Sequence, residues 1–292
     1  MKELVVVSGK GGTGKTSISA SLAVLAGKCI VVDCDVDAAD MHLLLTPEVS
    51  KKQDFISGHQ AFIREEYCTG CGICYRHCRF DAVERVDMSR KFVINEFSCE
   101  GCGLCVRLCP AGAISFPERL CGVWMESETR CGPMFHAKLA PAAENSGKLV
   151  ALLKAEARRK AEESGVEVII VDGSPGIGCP TIAALSGASA ALVVIEPTVS
   201  GEHDLLRILE LIKHFKIPAA VCVNKCDINP EVTQRIEKIA QDNGTFVAAK
   251  IRYSKNFTEN QINSLTVVET PSEASKEIRE LWETQIKPML CV

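Results

Sequence analysis

The sequence predicts an α/β fold, a mainly parallel sheet covered by helices and interrupted by a small α+β insert. Three observations carry that reading. Short apolar runs rich in Val and Ile alternate with amphipathic stretches of helical length. The first run leads straight into Gly-Lys-Gly-Gly-Thr-Gly-Lys-Thr at 9–16. Between residues 54 and 117 the alternation stops, and a duplicated cysteine pattern takes its place.

Taken in order, strands are expected at 4–7, 29–32, 168–171, 191–195, 219–223 and 246–251. Each is short, β-branched and apolar throughout, as strands buried on both faces are. Helices are expected at 15–26, 149–163, 203–214, 230–243 and 272–285, and strand alternating with helix argues for a parallel sheet. Residues 1–53 and 118–292 then form the main domain and 54–117 the insert. Residues 120–147, with three glycines and two prolines, read as a connector back to the sheet. The 292 residues, 47% of them hydrophobic, suffice for one large core or two modest ones.

A formal charge of −4 without a run of basic residues argues against nucleic acid as a partner. No stretch reaches the roughly 18 apolar residues of a membrane span, and the first apolar run is too short for a signal peptide. A cytoplasmic protein without a stable membrane anchor is the expectation. In a reducing compartment its 16 cysteines favour metal ligation over disulfides.

Half of those cysteines lie in two copies of C-x2-C-x2-C-x3-C, CTGCGICYRHC at 68–78 and CEGCGLCVRLCP at 99–110. Bacterial-type ferredoxins hold cubane [4Fe-4S] clusters with this spacing, the fourth cysteine of each run serving the other cluster. On that pattern Cys68, Cys71, Cys74 and Cys109 hold one cluster, and Cys99, Cys102, Cys105 and Cys78 the second. Glycines 70, 72, 101 and 103 suit a backbone wrapped tightly around an inorganic core. Paired C-x2-C motifs also bind zinc, but a third cysteine in each run and a second copy exceed what zinc needs. One departure stands out: Pro110 follows Cys109 as the pattern expects, whereas Arg79 follows Cys78.

The 9–16 segment satisfies G-x4-G-K-[ST] between a strand and a helix, the context a phosphate-binding loop requires. Gly9, Gly11, Gly12, Thr13 and Gly14 let the loop curl around phosphates, with Ser17 just beyond. Lys15 is suited to the β and γ phosphates and Thr16 to Mg²⁺. Lys10 is needed for none of these roles. The run KGGTGKT, however, resembles the deviant phosphate loop of the MinD/Mrp superfamily, which includes the nitrogenase iron protein and the ParA-type ATPases. That resemblance implies a homodimer sandwiching two nucleotides, with Lys10 reaching the partner's phosphates much as an arginine finger does.

The resemblance extends along the chain. In VVDCDVDAAD at 31–40 it implies that Asp35 orients or deprotonates the attacking water, with Asp37 and Asp40 as alternatives. In VIIVDGSPG at 168–176 it makes Asp172 a support for Mg²⁺, and in VCVNKCD at 221–227 it places Asn224 against adenine. N-K-x-D is also the guanine-reading pattern of GTPases, so Asp227 keeps GTP open, although the two-lysine loop accompanies ATP. Cys179 stands seven residues after Asp172, the offset of a cysteine that holds the intersubunit cluster of the nitrogenase iron protein, but no second ligand is evident. Cys29 and Cys222 fall within strands, and Cys121 and Cys131 each precede a glycine.

The whole pattern resembles MinD/Mrp-type ATPases that carry an inserted two-cluster ferredoxin domain. RCGPMFHAKL at 130–139 and ENSGKLV at 144–150 look like connectors of that group, with Lys148 near the nucleotide. The resemblance implies ATP hydrolysis with Mg²⁺, coupled to electron transfer through two clusters toward an unidentified redox donor or acceptor. Two other functions remain open: an Mrp-type carrier delivering clusters to an apo iron–sulfur protein, and a MinD/ParA-like spatial organiser.

Overall fold

The computed structural model describes residues 1–36, 38–86, 91–141, 143 and 145–291. Asp37, one of the alternative carboxylates, and Glu144, in the second connector, lie outside the described residues. The chain divides into two units. The first comprises Met1–Gln53, Trp124–Lys138 and Ser146–Val292, and the second Asp54–Val123 and Leu139–Asn145.

The first unit opens with β1 (Lys2–Ser8), α1 (Lys15–Ala26), β2 (Ile30–Asp33), α2 (Met41–Leu45) and β3 (Glu48–His59), the last running on past Gln53. The second unit supplies β4 (Phe62–Ile63), α3 (Ile73–His77), β5 (Val83–Arg85), β6 (Phe92–Ile94), α4 (Leu104–Leu108) and β7 (Ile114–Ser115). Strands β8 (Glu118–Thr129) and β9 (Gly132–Leu139) follow, with only Arg130 and Cys131 between them. The chain then alternates through α5 (Ser146–Ser164), β10 (Val168–Pro175), α6 (Cys179–Leu185), β11 (Ala190–Ile195), α7 (Val199–Phe215), β12 (Ala219–Asn224), α8 (Pro230–Asp242) and β13 (Val247–Ile251). Helices α9 (Asn256–Ile262), α10 (Glu273–Leu281) and α11 (Lys287–Leu290) close it, α10 and α11 joined by one π-helical stretch over Trp282–Ile286.

Among the described residues the sheet order is β13-β12-β11-β1-β10-β2-β9-β8-β3. From β13 to β9 every pairing is parallel, as crossover helices require. Strand alternation turns Leu4, Val6, Ile170 and Leu192 to one face, where they meet Ile18 and Leu22 of α1 and Ile278 of α10. Helices α5, α6, α7 and α8 pack in succession elsewhere on the sheet. The carboxyl ends of β1, β2, β10, β11 and β12 therefore lie together, and the connections after them form the crevice in which such sheets place ligands.

All six expected strands form. The expectation of a connector at 120–147 is corrected, because most of that stretch is β8 and β9 and its end is the start of α5. Its glycine and proline mark the link between strands: Gly132, at φ 122°, lies so close to Cys29 that a Cβ would stand 2.3 Å from that carbonyl oxygen. Arg130, in the same link, pairs with Glu269 at 2.7 Å and donates to the Leu44 carbonyl. Strand β3 was not foreseen, since most of its residues are exposed and only Phe55 and Ser57 turn inward.

The second unit is built as two similar halves. Antiparallel pairs β4/β7 and β5/β6 accompany two short helices, each entered through a left-handed glycine, Gly72 at φ 70° and Gly103 at φ 72°. One cluster of its buried residues joins Ala61, Ala82, Cys99 and Ile114, bordered by half-buried residues that include Cys74, Cys78, Cys105 and Cys109, and Val83, Phe92 and Ala113 are buried as well.

Candidate functional site

The phosphate loop hangs between β1, wholly buried from Leu4 onward, and α1. Gly14 adopts φ 88°, where a Cβ would stand 2.3 Å from the Asn224 amide nitrogen, and a Cβ on Gly9 would stand 2.1 Å from that of Asp204. Both positions exclude a side chain on grounds of space, and Gly14 also on backbone conformation.

Three carboxylates converge on Lys15. Its Nζ lies 2.9 Å from Asp172 Oδ2 and 3.8 Å from Asp35 Oδ2, and it is nearly buried. Burial alone would lower its pKa, but Asp172, Asp33 and Asp35 outweigh that and hold it above the ordinary lysine value. Thr16 Oγ1 donates to Asp172 Oδ2 at 2.7 Å, and Ser19 Oγ donates to Asp172 Oδ1 at 2.7 Å. Asp33, in register with Asp172 across β2 and β10, accepts from the Asp35 and Met41 amides. Burial, reinforced by the Asp172 charge, pushes Asp33 up to about 8. So much carboxylate around one lysine and one hydroxyl suits a divalent cation and the phosphates it bridges. Ser19 and Asp33 were missed as site residues; the only sequence signal for them is position, one turn after Thr16 and at a strand end.

Lys10 is held by its own chain. Its Nζ sits 2.5 Å from Glu196 Oε1 and donates to Thr198 Oγ1 at 3.2 Å and Ser200 Oγ at 3.3 Å. Glu196 Oε2 meets Lys225 Nζ at 3.1 Å, and that ammonium also donates to the Gly12 carbonyl at 3.0 Å. Burial would raise the Glu196 carboxyl, but the two lysines hold it below its usual range. Asn224 is buried beneath the loop, its Nδ2 donating to the Thr13 carbonyl at 2.7 Å and its Oδ1 accepting from the Lys225 amide. Its carboxamide therefore braces the loop. Asp227 Oδ1 accepts from the Tyr253 amide at 2.7 Å.

In the second unit the eight patterned cysteines line two separate cavities. Cys68, Cys71, Cys74 and Cys109 share one with Ile63, Phe92 and Ile114. Cys78, Cys99, Cys102 and Cys105 share the other with Phe80, Ala82 and Ile94. Among the described residues, no three His, Cys, Asp or Glu side chains gather closely enough to hold a single metal ion. A cubane differs from a single ion in this respect, since each of its ligands bonds a different corner of the cluster.

The remaining sequence candidates lie apart from these groups. Cys179 is exposed at the start of α6, against Gly147. Lys148 is exposed in the first turn of α5, and Asp40 is exposed just before α2. Cys29 and Cys222 are buried, as expected of cysteines within or beside strands, and Cys121 and Cys131 are buried too. No described helix is long and apolar enough to cross a membrane.

Residues 4–267 match the CobQ/CobB/MinD/ParA nucleotide binding domain. An uncharacterized protein of Methanocaldococcus jannaschii is 32% identical over 285 residues, covering 96% of this chain and 95% of that one. The fold is similar to the MinD cell division ATPase of Pyrococcus furiosus, with a TM-score of 0.57, 17% identity, and coverage of 98% of this chain and 99% of the other. It is similar too to the MinC:MinD cell division complex of Aquifex aeolicus, with a TM-score of 0.59, 17% identity, and coverage of 98% and 96%.

Proposed function

The chain belongs to the CobQ/CobB/MinD/ParA nucleotide-binding family. On that premise we propose that it is an ATP-hydrolysing switch that closes as a homodimer and carries two [4Fe-4S] clusters, electron transfer through them following the nucleotide state. The observation that carries the cluster half is the division of eight ferredoxin-spaced thiols around two cavities, four to each, in crossed sets. The position of the thiols supports the same reading, because Cys74, Cys78, Cys105 and Cys109 border the small apolar cluster that an internal staple would tie together.

In this reading the loop amides and Lys15 hold the phosphates, while Thr16 and Asp172 hold Mg²⁺. Lys15 turns from Asp172 to the phosphates as the cation takes over the carboxylate, so neither charge is left unpaired. Asp35, beside Lys15, orients the attacking water. Lys10 of each copy offers its charge to the phosphates held by the other. ATP is favoured over GTP because Asp227 already accepts the Tyr253 amide on one oxygen, where a guanine edge uses both. The cysteine segments lie in sequence between Asp35 and Asp172, the two carboxylates closest to Lys15, and this supports coupling between nucleotide state and clusters.

Likeness to MinD favours a second reading more directly than it favours redox coupling: the same nucleotide switch acting as a spatial organiser. A carrier that delivers clusters to an apo iron–sulfur protein is the third, and transfer to such an acceptor distinguishes it.

The ATPase half is tested by two variants. Lys15→Ala should abolish nucleotide binding, whereas Lys10→Ala should keep binding and lose turnover about 100-fold, the scale of removing one transition-state donor. Specific activity of the unaltered protein should rise with its concentration. A Lys10→Ala variant with full turnover contradicts the paired arrangement.

A further inference from the structure

Glu196 stands just past the end of β11 and takes part in none of the roles above, yet it joins the two lysines that flank the phosphate loop. Lys10 is not a loosely solvated surface lysine. An ammonium has three donors, and this one has three acceptors: Glu196 Oε1, Thr198 Oγ1 and Ser200 Oγ. The two oxygens beyond the carboxylate come from the start of α7, where Thr198 also caps the helix by accepting from the Gly201 amide. Lys10 is thus seated within its own chain, on a helix start and a strand end.

For Lys10 to serve another copy's phosphates it must leave this seat. Stripping a partly buried carboxylate of its cation ordinarily leaves a charge that is poorly solvated. Here Lys225 remains on the other oxygen of Glu196 and is itself fixed to the Gly12 carbonyl. The carboxylate keeps a cation whether Lys10 is seated or gone, which makes departure a partner exchange for the lysine alone.

We infer that Glu196 is a positioning residue for Lys10, retaining it in its own chain until the phosphates bound by a second copy outcompete the carboxylate, with Lys225 keeping Glu196 paired afterwards. This rests on the reading that Lys10 acts across a dimer. Glu196 then sets how much protein and nucleotide are needed before paired turnover begins. The unpaired chain stays inactive because its activating charge is occupied.

Two measurements test it. In the nucleotide-free chain, acylation of Lys10 by an amine-reactive ester, followed by mass spectrometry, should be about fivefold or more faster in Glu196→Gln, a change of the size expected for a coupled pair. An unchanged labelling rate overturns the seat, whether or not Lys10 acts in trans. At saturating ATP, the protein concentration giving half-maximal ATPase should fall several-fold in Glu196→Gln and rise in Lys225→Met, which leaves Glu196 with Lys10 alone. A purely structural role moves both variants in the same direction, and that outcome also overturns the inference. Failure of the underlying dimer reading has a different signature, full turnover in Lys10→Ala with faster labelling in Glu196→Gln retained.

Discussion

Beneath the phosphate loop, β1 is buried from Leu4 to its end and flanked by buried β10 and β11; around the patterned cysteines, the buried apolar residues are few and mostly small, Ala61, Ala82, Val83, Phe92, Cys99, Ala113 and Ile114. The first unit is held by hydrophobic burial on both faces of a sheet, which needs nothing from outside the chain. The second has short strands, short helices and thiols bordering a small apolar cluster, a composition that the proposed clusters would tie together. On the proposed reading the two units depend on different things: the first on its apolar residues, the second on the clusters its cysteines would hold.

The largest expected break in that contrast is Cys99→Ala. It should abolish slow hydrogen exchange throughout the second unit and leave the amides of β1, β10 and β11 as protected as before. Equal protection of the second unit with and without Cys99 would show that the thiols are only packing. Next comes Leu192→Ala in β11, which should cost about 2–5 kcal/mol by leaving a cavity in a fully buried layer, read by denaturant unfolding of the first unit. Its counterpart Val93→Ala, on the half-exposed strand β6, should stay within about 0.5 kcal/mol.

A separate prediction is a pH dependence confined to the first unit. Asp33 is pushed up to about 8 in the folded chain, whereas an unfolded carboxyl titrates near 4. Folded protein therefore keeps a proton that unfolded protein releases, and stability of the nucleotide-free chain should fall as pH rises from about 4 to about 8. Asp33→Asn should flatten that slope in thermal melts. A slope that persists unchanged would assign it to other groups.

The contrast also decides what the sequence makes legible. The inner parallel strands could be read because residues buried on both faces leave unbroken apolar runs, and the phosphate loop because its glycines obey a fixed spacing. Strand β3 escaped because most of its residues are exposed, β8 because it mixes buried and exposed residues, and β9 because it opens on Gly132 and Pro133, which look like a loop. Asp35 and Asp172 were legible as strand-end acids, while Asp33 was passed over although it is more buried than Asp35. The Glu196 contacts were out of reach, since Lys10 lies 186 residues from it in sequence and no motif joins them. The resemblance puts Asn224 against adenine, and its bonds to Thr13 and Lys225 could not be read from sequence because they depend on how β12 meets the loop in space.

The most direct test of the central claim, that one polypeptide joins a nucleotide switch to two cubane clusters, is iron quantification and electron paramagnetic resonance on anaerobically purified protein with and without ATP. The account predicts about eight iron atoms per chain, in two four-iron clusters, and a reduced-state signal that changes when ATP and Mg²⁺ are added. Iron-free protein that is fully folded in both units and hydrolyses ATP at full rate would contradict it.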